Sequence, residues 1–465
     1  MDRKKQQCKC RINEVDKTTD NLSSRAGLSL FVRYLENILL FRHLERLFGG
    51  MRKSMKAQSV MEIFKQLFCF MLEGTSRHLV YFDAIKEDPG YAGVIETSKE
   101  AMLSSHSVKR FFKAFSWYRI WLFRTLLQQL FLWRVKLAKP KMIELGIDTM
   151  VMDNDEAGQR HGVEPTYKKV KGFQPLQMTW GRFIIDAVFR GGKKHSNHGD
   201  TVEKMVRHMV GRIRKALGEE IPILIRMDAG FFDEKLFLVF EELGTGYIST
   251  GKIYEDIKLH VQASERPHWG RYQRGKKMMW DFLEFGSRRA SWKKFRRAIF
   301  CRPMDSNGQM LLDFVRPVSV LYTNLGMGFR IDRQLRDAGY GHLLSTDSII
   351  GCAHGRGADE LVHRALKEFG SQTLPFKRFA PNAAFYFTLL VAFFLYECFK
   401  EDVCAEVVPL EAYPTTLRRK VIDVAAKIVR TSGKIILKVA TAAWDHLGFD
   451  KLWNKCAHPP VFCWT

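Results

Sequence analysis

Apolar residues in the first part of the chain recur at helical spacing. Between about residues 28 and 137 they repeat every three or four positions, as in Val60, Phe64 and Leu67. This spacing places side chains on one face of a helix. The pattern predicts an all-α domain over residues 26–139.

The spacing of apolar residues changes to two after Pro140. Ile143, Leu145 and Ile147 alternate with other residues, which indicates a β-strand. A later run, Ile221–Met227, is almost entirely apolar and predicts a strand in the middle of a sheet. A helical domain followed by strands and helices predicts an α/β protein.

The second half of the chain contains a strand-like segment and a helical one. Residues 247–323 combine short apolar runs with many charges and predict a β-rich insertion. Helical periodicity returns at about residue 358, so residues 401–465 are expected to be helical. The most apolar run, Phe385–Phe399, contains Glu397 and is shorter than the roughly 20 residues of a spanning helix. It predicts a buried core helix and no membrane partner.

The first 25 residues are polar and charged, without periodicity. Such a segment is either a disordered basic arm that touches phosphates or a solubilising tail. It lacks the apolar core of a secretory signal, which predicts a cytoplasmic protein.

Charge narrows the choice of partner. The chain has 74 Lys and Arg against 50 Asp and Glu, a formal net charge of +24, and so basic a surface attracts nucleic acid. Ser105 begins a basic segment that contains Lys109 and Arg110, which is either a DNA recognition helix or an ordinary capped helix.

Two aspartates lie in or directly after predicted strands, at positions where an α/β sheet could hold a functional site. Asp148 interrupts an apolar strand, where an ionised carboxylate is costly unless a cation or hydrogen-bond donors compensate it. Asp228 follows the apolar run Ile221–Met227, and open α/β sheets place their sites at such strand ends. Taken alone, either aspartate is more typical of a residue that caps a helix or orders a turn.

A third carboxylate, Glu360, lies on a predicted helix between basic residues. Arg356 precedes it by four positions and Lys367 follows it by seven, so all three fall within about 40° of one helical face. His363 lies on the same stripe. An exposed helix with internal ion pairs would give the same pattern.

The order of these residues resembles the DDE transposases of bacterial insertion sequences. Their signature on this helix is Tyr, two residues, Arg, three residues, Glu, six residues, Lys, and Arg356, Glu360 and Lys367 match it. The segments Gly146-Ile-Asp-Thr and Arg226-Met-Asp-Ala-Gly-Phe look like the strands of the first and second family aspartates. The signature Tyr falls at Ala353, a departure for which Tyr340 or His354 are the nearest substitutes.

The resemblance implies a particular architecture. It consists of a ribonuclease-H-like catalytic core, here residues 140–246 and 324–400, interrupted by the insertion at 247–323. The helical domain at 26–139 would bind DNA, and residues 401–465 would form a helical C-terminal region.

The resemblance also implies the chemistry. Asp148, Asp228 and Glu360 would hold two Mg²⁺ or Mn²⁺ ions that promote cleavage of double-stranded DNA at transposon ends and joining to target DNA. A homodimer on DNA is expected by analogy. The residues expected to contact DNA are Arg356, Lys367, Lys109, Arg110, Lys293, Lys294, Arg296 and Arg297.

Two other functions are consistent with the same residues. A transposase derivative could bind DNA without cutting it, as the missing Tyr would allow, and a nuclease of the same fold could hydrolyse DNA without joining it. Three tryptophans in the insertion either stack on an unpaired base or belong to the core: Trp269, Trp280 and Trp292.

Overall fold

A nine-stranded mixed β-sheet lies at the centre of the protein, and helices pack around it. The computed structural model of the chain describes residues 12–51, 58–275, 278–305, 309–310, 317–355, 357–370 and 372–464, without the side chains of 357–359. The mixed α/β class is the one predicted from the sequence.

The N-terminal part is helical, as its spacing predicts. Its elements are β1 (Asn21–Ser23), α1 (Gly27–Asn37), α2 (Leu40–Phe48), α3 (Val60–Glu73), α4 (Tyr81–Lys86), α5 (Pro89–Val94), α6 (Ser105–Lys113) and α7 (Trp117–Ala138). Short strand β1 lies within the segment predicted to be a disordered arm of residues 1–25. That prediction is wrong for Asn21–Ser23, because these residues pair with a strand more than 400 positions away in sequence, Ala426–Thr431.

The middle of the chain forms one half of the large sheet. Its elements are β2 (Ile143–Thr149), β3 (Met152–Asp153), β4 (Glu164–Pro165), β5 (Lys171–Phe173), β6 (Leu176–Trp180), β7 (Phe183–Val188), α8 (Thr201–Leu217), β8 (Ile223–Met227), α9 (Glu234–Glu242) and β9 (Gly246–Thr250). Strands β2, β8 and β9 are parallel neighbours, while β6 runs antiparallel between β2 and β7. Strands β3, β5 and β4 form a small separate sheet after β2.

The predicted β-rich insertion continues the same sheet. Its elements are α10 (Glu255–Ala263), β10 (Trp269–Arg274), β11 (Met278–Ser287), β12 (Arg296–Met304) and β13 (Ser319–Thr323). Because β13 pairs with β9, the sheet order is β10-β11-β12-β13-β9-β8-β2-β6-β7. The insertion therefore widens the central sheet.

The last part of the chain is helical with one exception. Its elements are α11 (Arg330–Asp337), α12 (Thr346–His354), α13 (Gly357–Phe369), α14 (Phe379–Asp402), α15 (Pro414–Leu417), β14 (Ala426–Thr431), β15 (Lys434–Val439), α16 (Thr441–Leu447) and α17 (Phe449–Ala457). The hairpin β14–β15 contradicts the prediction of a wholly helical C-terminal region. Ser432 and Gly433 both have positive φ (46° and 73°), the conformation of a tight turn that suits the twist of a hairpin.

Helix α14 is the core helix predicted at Phe385–Phe399. It is the only helix in the described parts of the chain that is long and apolar enough to cross a membrane, and 89% of its apolar window is buried inside the protein. It packs against α7, α3, α6 and β7. Buried Glu397 is compensated by Lys400, 2.9 Å away, and by Arg182, 3.0 Å away.

Candidate functional site

Asp148 and Asp228 lie side by side at the carboxyl ends of two parallel strands. Ile147 of β2 is level with Met227 of β8, so the next residue of each strand reaches the same edge and the same face of the sheet. Neighbouring strands are about 4.8 Å apart. The two carboxylates predicted from separate sequence motifs are therefore brought together by strand pairing.

Backbone N–H groups orient both carboxylates. The N–H of Thr149 donates to Asp148 Oδ1 at 2.7 Å, and the N–H of Gly230 donates to Asp228 Oδ1 at 2.8 Å. Ser196, from the loop after β7, has its Oγ 3.4 Å from Thr149 Oγ1. A Cβ on Gly230 would lie 2.7 Å from the same Ser196 Oγ, so a larger residue here would displace the Ser196 side chain.

Helix α13 passes beside Asp148. His363 Nδ1 is 3.8 Å from Asp148 Oδ2, and Glu360 lies one helical turn before His363 with an exposed side chain. Residues three apart on a helix have Cβ atoms about 5–6 Å apart. Glu360 is therefore one helical turn from the residue that lies beside Asp148, and among the described residues no three His, Cys, Asp or Glu side chains are gathered as a metal site.

Lys367 lies two turns beyond Glu360 on the same helix. Burial lowers the pKa of its amine, the charge of Lys168 lowers it further, and Asp153 opposes these effects. Removal of water and a like charge both disfavour the ammonium form, which an anion would restore. Arg356, predicted to accompany Lys367, lies outside the described residues.

Two lysine-bearing loops pack together on this side of the sheet. Lys168, Lys169 and Lys171 are exposed around the β4–β5 turn, and Lys193 is exposed in the loop after β7. A Cβ on Gly192 would lie 2.1 Å from the carbonyl oxygen of Glu164 and 2.6 Å from that of Gly172. The close contact holds the two basic loops as one surface.

Arg190 anchors the second loop from inside the protein. Its side chain is buried, Nε donates to the Gln174 carbonyl at 3.2 Å, and Nη1 donates to the Ser196 carbonyl at 3.3 Å. Burial lowers the pKa of the guanidinium to about 10. The segments Gly146–Thr149 and Arg190–Asn197 both resemble family segments, but the sequence assigned no individual role to Arg190, Ser196 or Thr149, because no local pattern shows which of their side chains meet.

The family model for transposase DDE domain group 1 matches residues 5–458, nearly the whole chain. The chain belongs to this DDE transposase family. A search of curated proteins finds no match. Among solved structures, the cryo-EM structure of the piggyBac transposase synaptic complex with hairpin DNA matches with a TM-score of 0.39 and 11% identity, over 87% of this chain and 83% of that one. That likeness is too weak to carry an argument.

Two arginines of the insertion do not fit the DNA-contacting role predicted for them in this transposase. Arg296 is 1% exposed, and its Nε is 3.0 Å from Glu241 Oε1. Arg297 pairs with Glu284 at 2.8 Å and donates to two backbone carbonyls. Both guanidinium groups are engaged inside the fold, which a local cluster of basic letters does not reveal.

Four other residues predicted to contact DNA are at the surface. Lys109 and Arg110 are exposed on α6, which begins at Ser105 as expected, and Lys293 and Lys294 are exposed before β12. Lys294 Nζ lies 3.4 Å from Glu241 Oε2.

The aromatic residues of the insertion belong mainly to the core of the transposase. Trp280 and Trp292 are 3% and 7% exposed, and Arg302 lies 4.2 Å from the ring centre of Trp269. His354, one residue after the position of the signature Tyr, stacks on Trp280 with ring centres 4.4 Å apart.

Proposed function

We propose that this transposase cleaves DNA at the ends of an insertion sequence and joins the 3′ ends to target DNA by two-metal-ion phosphoryl transfer. Asp148, Asp228 and Glu360 would be the metal ligands. The adjacency of Asp148 and Asp228 at the ends of β2 and β8 is the observation that carries the proposal. It supports the ligand roles because two neighbouring carboxylates repel each other unless a cation lies between them.

The topology supports a ribonuclease-H-like core. The strands β7-β6-β2-β8-β9 form an antiparallel meander followed by two parallel strands, each reached through a helix. In this arrangement the first strand, β2, occupies the centre and carries Asp148. We assign residues 140–246 and 324–400 to the core on this basis.

The donor set fits hard divalent ions. All three side chains offer carboxylate oxygens, which suit Mg²⁺ or Mn²⁺. Bound ions would supply activation of a water or a 3′ hydroxyl and stabilisation of the leaving 3′ oxygen. The N–H groups of Thr149 and Gly230 would keep Asp148 and Asp228 oriented toward this position.

The basic surface beside the carboxylates would position the DNA. Lys367 lies on the helix whose His363 is beside Asp148, Lys168 is close enough to lower the pKa of Lys367, and exposed Lys193 lies in the same loop as Ser196, which is next to Thr149. Lysine acts on phosphates as a point charge, so these residues would hold the backbone near the scissile bond. Lys109, Arg110, Lys293, Lys294 and Arg356 remain proposed DNA contacts, and a homodimer on DNA in the bacterial cytoplasm remains the proposed working form.

The test is cleavage and joining of duplexes that carry the transposon end, with Mg²⁺ or Mn²⁺. Glu360→Gln removes a charge at nearly constant shape, and Glu156→Gln, at an exposed site on the loop after β3, is the matched control. Loss of both reactions in Glu360→Gln alone supports the proposal. Equal activity in Glu360→Gln and the native protein would remove Glu360 from the site.

The same assay separates the two rival functions. Cleavage without a branched joined product would indicate a nuclease that only hydrolyses DNA. Binding of end DNA without cleavage in the native protein would indicate a DNA-binding derivative. The sequence feature that favours the DNA-binding derivative is Ala353, which replaces the signature Tyr.

A further inference from the structure

Three aromatic side chains are exposed together at the start of α7. Trp117, Tyr118 and Trp121 are 55%, 75% and 59% exposed. Residues four apart on a helix share a face, and Tyr118 lies about 60° around the helix from Trp121. Apolar surface of this extent on a folded protein usually marks a binding site. We name these three residues the α7 aromatic surface.

Positive charge surrounds the α7 aromatic surface. Lys113 is exposed at the end of α6. The ring of Trp117 packs on Phe379 with centres 5.5 Å apart, which brings the exposed Lys377 and Arg378 to the same place. The nearby carboxylate of Asp186 is neutralised, because Arg124 donates to both of its oxygens at 2.6 Å.

This surface adjoins the segment that follows the strand of Asp148. The N–H of His161 donates to the Lys377 carbonyl at 2.9 Å. Phe379 also packs on Phe173 of β5, with ring centres 6.0 Å apart. The aromatic rings are therefore connected through packed side chains to the loops that carry Lys168 and Lys171.

The chemistry of the surface selects its partner. Exposed aromatic rings stack on nucleic-acid bases, and surrounding cations bind the phosphates between them. The guanidinium of Arg124 already lies over the ring of Trp121, 5.0 Å from its centre. In a duplex the base faces are covered by neighbouring bases, so only an unpaired strand offers them. A second copy of this chain, with its net charge of +24, would be repelled by the same cations.

We propose that the α7 aromatic surface binds unpaired bases of single-stranded DNA, with Lys113, Lys377 and Arg378 on the phosphates. The site is separate from Asp148, Asp228 and Glu360, and it does not depend on metal. It would hold strands that have been separated from the duplex near the cleavage site.

The test is the affinity of the full-length protein for a fluorescein-labelled oligothymidylate, measured by anisotropy without metal and compared with a duplex of equal length. The Trp117→Ala/Trp121→Ala variant is expected to bind the single strand about tenfold or more weakly, since stacking contributes about 1–3 kcal/mol per base. Its duplex affinity is expected to change much less. Trp117→Phe/Trp121→Phe keeps the rings and is expected to restore binding of the single strand.

Trp444→Ala is the matched control, since Trp444 is 41% exposed on α16 and should not affect either affinity. Unchanged single-strand binding in the double alanine variant would overturn the proposal. Equal loss of single-strand and duplex binding would also overturn it, as would a change confined to self-association in sedimentation. An Asp148→Asn variant separates this site from the proposed function, because it should lose cleavage and keep single-strand binding.

Discussion

The basic residues of β12 and those of α13 differ in whether their surroundings stabilise the positive charge. On β12, Arg296 is buried with its guanidinium against Glu241. On α13, burial and Lys168 both disfavour the charge of Lys367. A cation paired inside the fold stabilises it and is not available to DNA. A cation whose charged form is disfavoured by burial and by a like charge lowers the stability of the fold. A bound phosphate would stabilise that charged form. The sequence shows both simply as basic residues among others.

The largest expected effect is on the stability that Arg296 provides. Arg296→Met leaves the carboxylate of Glu241 buried without its main partner, and removal of one member of a buried ion pair costs about 3–5 kcal/mol. We expect a decrease of that size in the free energy of unfolding, measured by urea denaturation. Lys294→Met is the control, because Lys294 pairs with the same Glu241 from a 55% exposed position, where pairs contribute about 0–1 kcal/mol. Equal stability of the two variants would remove the distinction between the two groups.

The next effect concerns DNA. Lys367→Met is expected to weaken binding to end-bearing duplex by about tenfold, since a hydrogen bond to a charged group contributes about 1.5–3 kcal/mol. Lys367→Arg keeps the charge and should bind more tightly than Lys367→Met. Anisotropy titrations at one fixed salt concentration measure all three proteins, and native affinity in Lys367→Met would place this lysine away from DNA.

A smaller effect is expected on the salt dependence of binding. Lys168→Ala removes one proposed phosphate contact, so the slope of log K against log salt should fall by about 1. Lys434→Ala, at an exposed position of β15, is expected to leave the slope unchanged. A slope that falls for Lys434→Ala and not for Lys168→Ala would indicate that DNA contacts the hairpin β14–β15 and not the surface near Asp148 and Asp228.

The smallest expected effect is a gain in stability, opposite in sign to the loss expected for Arg296→Met. The pKa of Lys367 is lower in the folded protein than its ordinary 10.5, so the unfolded chain binds this proton more tightly and stability rises with pH across that interval. Below the folded pKa, Lys367→Met should therefore raise the free energy of unfolding, by less than about 1 kcal/mol because solvent screens the half-buried amine. The gain should shrink as the pH approaches 10.5. Denaturation curves at neutral and alkaline pH measure it, and destabilisation at neutral pH would contradict the account.

The part of the fold that sequence predicts is the part set by local spacing. The alternation around Asp148 and the apolar run before Asp228 predicted β2 and β8, and the length and Glu397 of the longest apolar run predicted α14 as a core helix. Burial raises the pKa of Glu397 to about 7. The ion pair with Lys400 opposes this shift and offsets part of the free energy needed to bury the carboxylate. These outcomes depend on neighbours close in sequence.

The unpredicted features depend on residues far apart in the chain. The pairing of β1 with β14 joins the two ends of the protein, and the burial of Arg296 requires Glu241 from α9. The adjacency of Asp148 and Asp228 was implied only by the family resemblance, and it too comes from a long-range contact, the pairing of β2 with β8. The pair Ser432-Gly433 is a local signal for a hairpin turn. The helical spacing of the apolar residues on either side of this pair favoured a helix instead.

The most direct test of the metal-site assignment is to count bound Mn²⁺ by electron paramagnetic resonance, in the presence of end-bearing DNA. The account predicts two ions per chain in the native protein and in Glu156→Gln, as a two-metal mechanism requires, with loss of bound Mn²⁺ in Asp148→Asn. The same number of bound ions in Asp148→Asn as in the native protein would contradict the assignment of Asp148 as a metal ligand.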